Sequence, residues 1–411
     1  MTLPPSTARP LRIVIGAVTY PPHVNGAANF AHRLATGLTG RGHDVHVICH
    51  SADRGSRTRI EDGVTVHRVG SYGTSLHPTI RVCPPWQAAA KADRLLAEIQ
   101  PDVVHVQSHF FLCRGLIVSA RRRGIGLVAT NHFMPENILG YLKIPGLLRR
   151  AAARVLWQGL IKQYSRAQLV TAPTPRAVQL LQDNGFADLA MPVSCGIDVE
   201  RYRRRAALYR QRNADPDTRT VLFVGRLDEE KHIEDLLRAM SLLRTDAPVR
   251  LEIIGDGSQR AALAQLAADL GIADRVQFRG LVDEDELLDA YARADLFCMP
   301  SIAELQSLAT MEAMSAGTPV VLANAMALPH LVEPGRNGWL YPPRQVPALA
   351  SAIDAVLARR ATIDRMGKAS QRLVAQHDID ATLGRFESIY HYAIDLDGSL
   401  ELDGPYAELA S

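Results

Sequence analysis

The sequence predicts an α/β protein built of two Rossmann-like units, and three observations lead there. Leu11 to Val18 (LRIVIGAV) is a short apolar run rich in branched residues, the mark of a strand buried on both faces of a parallel sheet. It is followed by a loop, Tyr20 to Ala27 (YPPHVNGA), a helical stretch through Gly40 and a second strand, Asp44 to Cys49. That order of strand, loop, helix and strand places ligands at the carboxyl ends of the strands. The alternation then begins afresh at Val221 to Gly225 (VLFVG), and 411 residues are enough for two or three domains, each with its own core.

Composition narrows the class. With 47% hydrophobic and 22% charged residues the chain reads as an ordinary soluble globular protein. No apolar run reaches the roughly 18 residues of a membrane span, and Met1 to Pro10 lacks the apolar core of a signal peptide, so the cytoplasm is the expected location. Cys49, Cys83, Cys113, Cys195 and Cys298 are scattered without a C-x-x-C pair, which argues against a zinc site or a disulfide framework. Residues 1–200 carry 22 Lys and Arg against 12 Asp and Glu, whereas residues 201–411 carry 24 against 31. A basic front half suits an anionic lipid surface, a phosphorylated acceptor, or no partner at all. No nucleic-acid motif accompanies it.

In the first half, Pro101 to Gln107 (PDVVHVQ) and Gly126 to Thr130 (GLVAT) read as further strands ending in polar residues. Thr130-Asn131-His132-Phe133 therefore falls at a ligand-facing sheet end, as does His109. From Ile144 to Arg166, the residues Leu148, Ala152, Val155, Leu156, Leu160 and Tyr164 keep helical spacing, with Arg150, Arg154, Lys162 and Arg166 on another face. Such a helix fits an anionic membrane surface, and equally a core position with a solvated polar side. Ala167 to Thr171 starts a strand, and Gly196 to Asp217, with its basic run Arg201 to Arg205, reads as a polar interdomain linker.

In the second half, Arg226 and Lys231 lie five positions apart in RLDEEK, directly after the Val221–Gly225 strand. One forked cation and one point charge make a good diphosphate clamp, although they can also simply pair with Asp228, Glu229 and Glu230. Strands follow at Arg250 to Ile254, Val276 to Phe278 and Leu296 to Pro300, and helices at Val346 to Arg359, Ile363 to Gln376 and Asp380 to Ala393; Arg336-Asn337-Gly338 reads as a hairpin-like turn. The stretch Ser301 to Val321 (SIAELQSLATMEAMSAGTPVV) sets Glu304 and Glu312 eight residues apart. If all eight steps were helical, the carboxylates would stand about 12 Å apart, the span from hexose to ribose in a nucleotide sugar. Each carboxylate accepts two hydrogen bonds from vicinal hydroxyls, and the N–H groups of Gln306, Ser307 and Leu308 at the helix start suit a diphosphate. Two solvated glutamates on a surface helix are the plainer reading of the spacing alone.

The pattern of Glu, seven residues, Glu, then Ala-Met-Ser-Ala-Gly-Thr-Pro-Val-Val resembles the donor-site signature of the retaining glycosyltransferases of family four. Their fold is GT-B, two Rossmann-like domains facing each other across a cleft. The resemblance implies an N-terminal acceptor-side domain at 1–195, a linker at 196–217, a nucleotide-sugar domain at 218–379 and a helix at 380–395 that crosses back, with an acidic tail at 396–411. It implies that Glu304 holds the transferred sugar and Glu312 the ribose, and that Arg226 and Lys231 bind the phosphates and stabilise the departing nucleotide. His132 would contact the sugar, Gly26 of the Pro-Pro-x-x-x-Gly loop the donor, and Gly280 and Leu281 the base. Three departures stand out: Gln306-Ser307 in place of the frequent Phe-Gly, His232 where Gly is common, and Cys195 in the place of an asparagine. Glu-Leu-Gln-Ser with the later Ala-Met-Ala-Leu-Pro-His at 325–330 is most similar to the branch that acts on lipid acceptors such as diacylglycerol.

The implied activity is transfer of a hexose from a UDP- or GDP-sugar to a lipid or small-molecule hydroxyl with retention of configuration and without a metal. The enzyme would be cytoplasmic, or peripheral at the inner membrane face through residues 144–166. A nucleotide-sugar hydrolase or epimerase and an inactive binding subunit are the alternatives from other classes.

Overall fold

The computed structural model of the chain describes residues 9–23, 25–73, 81–135, 146–212, 218–245 and 247–395. The expected acidic tail at 396–411 lies outside them. The chain divides into two compact units, one made of Met1–Gly196 and Asp380–Ser411, the other of Ile197–Ile379.

Among the described residues the first unit has ten strands: β1 (Arg12–Gly16), β2 (Asp44–His50), β3 (Arg57–Glu61), β4 (Val64–Val69), β5 (Tyr72–Gly73), β6 (Arg81–Val82), β7 (Val103–Val106), β8 (Gly126–Thr130), β9 (Leu169–Ala172) and β10 (Ala190–Pro192). Eight of them form one sheet in the order β10-β9-β8-β7-β1-β2-β4-β3, parallel except for the β3/β4 pair. Ile13, Val14 and Ile15 of β1 are wholly buried, as a strand covered on both faces requires. Strand order reverses between β1 and β7, so the loops after those two strands flank the natural ligand position of the sheet.

The last helix, Ile379–Asp395, packs into the first unit through a polar and an aromatic contact set. Tyr390 Oη meets His105 Nδ1 at 2.9 Å, and the Phe386 ring lies 5.7 Å from that of Phe30. Burying Phe386 completely contributes on the order of 2–3 kcal/mol. Glu387 accepts from Arg41 at 2.8 Å and meets His43 Nε2 at 3.0 Å.

Among its described residues the second unit has six parallel strands, β11 (Arg219–Val224), β12 (Val249–Ile254), β13 (Val276–Gly280), β14 (Leu296–Met299), β15 (Val320–Ala323) and β16 (Gly338–Tyr341), in the order β13-β12-β11-β14-β15-β16. Counted from β11 this is the 3-2-1-4-5-6 order of a dinucleotide-binding sheet, with its reversal between β11 and β14. The turn at 336–338 is not a hairpin. It delivers β16 to a parallel pairing with β15, and Gly335 N donates to Gly338 O at 2.9 Å inside it.

Two expectations change here. The stretch 196–217 is not a polar linker, because Val199–Arg212 is a helix of the second unit. Its basic run masks an apolar spacing: Val199, Tyr202 and Ala206 are buried on one face, while Arg205 binds Asp289 at 2.6 Å and Arg201 binds Glu284 at 2.6 Å. In the helix Gly146–Tyr164 the buried side chains are Trp157, Leu160, Gln163 and Tyr164, whereas Leu148 and Val155, expected in the apolar stripe, are 58% and 66% exposed. At 100° per residue these two share a face opposite the buried one.

Burial opposes ionisation of Glu387, but the His43 hydrogen bond and the Arg41 charge outweigh it and hold the carboxyl below its ordinary value. A depressed carboxyl stabilises the fold above the unfolded-state pKa and loses that contribution as pH falls through the folded-state value. Glu387→Gln should therefore lower stability by about 1–2 kcal/mol at pH 7. In urea melts the gap to the parent protein should close as pH falls below about 4.5; a gap independent of pH would rule out this role.

Candidate functional site

The loops after β11 and β14 flank the reversal of the second sheet, and the backbone joins them. Ser301 Oγ and Ile302 N donate to Glu230 O at 3.3 and 3.2 Å, and Ala303 N donates to Ser301 Oγ at 3.3 Å. This stitching brings Lys231 Nζ onto Glu304 Oε1 in an ion pair whose side chains are only 13% and 12% exposed. Glu304 O also accepts from Ala327 N at 3.1 Å, which ties in the loop after β15.

Arg226 leaves β11 on the same loop as Lys231. Its guanidinium binds Asp228, and donates to Glu230 Oε1 at 2.6 Å. Asp228 is buried and accepts as well from Ser258 Oγ at 3.0 Å, so the forked cation is oriented by a fixed carboxylate. Asp228 was among the acids expected to pair with these cations, whereas Ser258 gave no signal in the sequence. The pairing of Arg226 with neighbouring acids does occur, while Lys231 chooses the distant Glu304 instead.

Helix Leu308–Ser315 begins with Ser307 as its N-cap. The Ser307 hydroxyl accepts from Thr310 N at 3.3 Å and Thr310 Oγ1 at 2.7 Å, leaving its own proton as the one it could give a ligand. Gln306 is half-buried just outside the helix, and Leu308 is its first residue. Only the second half of the Glu304 to Glu312 interval is helical, so the all-helical spacing of the two carboxylates does not apply. Glu312 is buried, and its Oε2 accepts from Tyr291 Oη at 2.9 Å. Tyr291 comes from helix Glu284–Arg293, and its place gave no signal in the sequence. The helix closes in a Schellman motif: Gly317 takes φ +81°, Thr318 N donates to Ala313 O at 3.0 Å and Gly317 N to Met314 O at 3.0 Å. This is the work of Ser-Ala-Gly-Thr-Pro.

At the end of β13, Gly280 has φ +68° and Leu281 is 71% exposed. His232 occupies the left-handed region at φ +49°, which explains why glycine suits that place. Its Nδ1 lies 3.0 Å from Glu234 Oε1 and 2.6 Å from Arg344 Nη1. His232, Glu234 and Asp235 bring ligand atoms within 4.8 Å of one another, yet the Arg344 guanidinium is lodged among them, 2.7 Å from Glu234. A cavity of about 990 Å³ opens at the opposite, amino-terminal edge of the sheet, beside Thr220, Arg250, Gln277 and Asp295. None of the expected site residues lines it.

In the first unit Gly26 is the opening residue of helix Gly26–Gly40, capped by Asn25, whose side chain accepts from Ala28 N at 2.9 Å. His132 follows β8 with its ring centroid 4.7 Å from that of Phe30. Its Nε2 is buried without a hydrogen-bond partner, and burial lowers its pKa to about 4, so it is neutral near pH 7. His109, past β7, is likewise neutral, its pKa lowered to about 4 by burial.

Residues 24–201 match the domain described as Glycosyltransferase Family 4, and residues 205–373 the one described as Glycosyl transferases group 1. A GDP-mannose-dependent alpha-mannosyltransferase of Mycolicibacterium smegmatis is 31% identical over 92% of this chain and 98% of its own length. The chain belongs to glycosyltransferase family four. An alpha-monoglucosyldiacylglycerol synthase of Streptococcus pneumoniae is 27% identical over 80% of this glycosyltransferase and 75% of its own length. The solved sucrose-phosphate synthase of Thermosynechococcus elongatus superposes with a TM-score of 0.79 at 21% identity, over 94% of this chain and 100% of that one, and shows the GT-B fold.

The Lys231–Glu304 pair gives a direct test of how the two loops are held. Lys231→Met strands a largely buried carboxylate and should cost about 3 kcal/mol in urea unfolding, most of it recovered on adding Glu304→Gln. Additive losses would mean the two side chains do not depend on one another.

Proposed function

We propose that this glycosyltransferase moves a hexose from a GDP- or UDP-sugar to the hydroxyl of a membrane lipid, with retention of configuration and without a metal. The observation that carries the reading is the Lys231–Glu304 pair at the strand-order reversal, with Arg226 on the same loop and Glu312 on the helix that follows. Glu304 would hold the transferred sugar and Glu312 the ribose, with His132 on the sugar from the first unit. Arg226, Lys231 and the N–H groups around Ser307 and Leu308 would neutralise charge growing on the leaving diphosphate, a preorganised electrostatic contribution. Gly26 would border the donor, and Gly280 and Leu281 its base.

In the step itself the acceptor oxygen attacks the anomeric carbon on the face the phosphate leaves. The bond from carbon to phosphate oxygen breaks, the bond from carbon to acceptor oxygen forms, and the acceptor proton passes to a donor phosphate oxygen. Fixed cations take the charge-neutralising place that a divalent ion would otherwise fill. The name of the mycobacterial relative makes GDP-mannose the first donor to try.

A thermal-shift panel of GDP, UDP, ADP and dTDP in EDTA tests the donor side. Ligand at a hundred times its Kd adds about 2.7 kcal/mol, so GDP or UDP should raise Tm by several degrees. Glu304→Ala should cut turnover at least a hundredfold in the same buffer. No response to any of the four, or donor consumption that needs no acceptor, would overturn the assignment.

The lipid part rests on the helix Gly146–Tyr164 and on the name of the pneumococcal relative. The helix contains no acidic residue; Leu148 and Val155 project outward, and Arg150, Arg154 and Lys162 are exposed as well. Among the described residues no helix is long and apolar enough to cross a membrane, so contact would be peripheral. Each basic residue near an anionic surface contributes about 1 kcal/mol, so Arg150→Glu with Arg154→Glu should weaken sedimentation with phosphatidylglycerol vesicles more than about 30-fold. A parent protein that ignores those vesicles would remove the membrane from the proposal.

A further inference from the structure

Buried polar side chains in folded proteins nearly always find a partner, and the exceptions mark places meant for something else. Within the described residues of the first unit several such atoms lie together at the carboxyl ends of two neighbouring strands, while others are scattered on His50, Gln163 and His391. Gln107 Oε1 and Nε2, His109 Nδ1, Asn131 Nδ2 and His132 Nε2 are all buried without a hydrogen-bond partner. Gln107 and His109 follow β7, whereas Asn131 and His132 follow β8, its parallel neighbour. Gln107 N donates to Gly16 O at 2.8 Å, which fixes the glutamine at the end of β1, where the strand order reverses. This is the ligand position of the sheet by topology alone.

The cluster is neutral. Burial is the sole cause that lowers the two histidines, and no neighbouring charge contributes to either shift. The remaining members are amides, which both donate and accept. Beside them the half-buried rings of Phe110 and Phe133 meet edge to face at 5.2 Å, and the His109 ring lies tilted against both, its centroid 4.0 Å from the first and 5.3 Å from the second. Uncharged planar donors and acceptors next to aromatic faces match a group of hydroxyls on a carbon skeleton. A phosphate in the same place would meet no cation from these side chains and would be costly to desolvate.

We propose that Gln107, His109 and Asn131 form an acceptor subsite for an uncharged, hydroxyl-bearing lipid headgroup of the glycerol or sugar type, and not for a phosphorylated one. The inference rests on the transferase reading above and specifies its acceptor. His132 is left to the transferred sugar. Because the glutamine amide has no partner in the ligand-free chain, it contributes to binding and not to folding.

The test is initial-rate kinetics of the full chain, with the donor chosen by the thermal-shift panel. Vesicles carry dioleoylglycerol, a monoglycosyl diacylglycerol or phosphatidylinositol. Transfer to the two uncharged acceptors should exceed transfer to phosphatidylinositol at least tenfold. Gln107→Met should raise the acceptor KM about tenfold at unchanged donor KM while melting no lower than the parent, a combination that a structural glutamine would not produce. His109→Phe keeps the ring contacts and should move the acceptor KM in the same direction. Preference for phosphatidylinositol, an acceptor KM unmoved by both variants, or a shift confined to the donor KM would overturn the subsite. Failure to use any acceptor while the donor is still bound would instead sink the transferase reading itself.

Discussion

The reversal of strand order between β11 and β14 is the constraint from which the rest of the second unit follows. Two loops that leave the sheet in opposite lateral directions open a gap between them, and the chain fills it with charge. Lys231 from one loop and Glu304 from the other meet there at about one-eighth exposure. Neither would be tolerated at that burial alone, since an isolated charge so placed costs several kcal/mol. The backbone bonds from Ser301 and Ile302 to Glu230 hold the loops close enough for the pair to form.

The two units handle polarity in opposite ways. In the second, each expected charged residue already has a partner: Arg226 has Asp228 and Glu230, Lys231 has Glu304, and Glu312 has Tyr291. An anionic ligand there would exchange one set of partners for another, keeping the cations oriented before it arrives. In the first unit the sheet-end residues Gln107, His109, Asn131 and His132 are neutral and each keeps a buried polar atom without a partner, with Gln107 the plainest case. One surface is prepared by electrostatics and the other by unmet hydrogen bonds.

Much of this was readable from residues alone because the relevant signals are local. Branched apolar runs located β1, β2, β7, β8, β11, β12, β13 and β14 to within a few residues, and Ser-Ala-Gly-Thr-Pro located the end of a helix. What escaped was either masked or distant. The helix Val199–Arg212 hid its apolar face under five positions dominated by arginine, and in Gly146–Tyr164 two outward aliphatic residues fell close enough to helical spacing to be mistaken for core. Tyr291 reaches Glu312 from another helix, and Lys231 reaches Glu304 across 73 residues, so no window of sequence contains either contact. The glutamine at 107 was seen only as the polar end of a strand, because a missing partner is a property of the folded surroundings.

The assignment of the last helix to the first unit has a consequence for biosynthesis. Ile379–Asp395 supplies Phe386 against Phe30 and Tyr390 against His105, and Gly126 can accommodate no methyl group without meeting Ala393 O at 3.0 Å. All of those partners leave the ribosome some 250 to 350 residues before the helix does. At about 5–20 residues per second the early half waits tens of seconds with that surface uncovered while the later half, whose strands are contiguous in the chain, is already able to close. The first unit can therefore be completed only after the whole of the second has been translated.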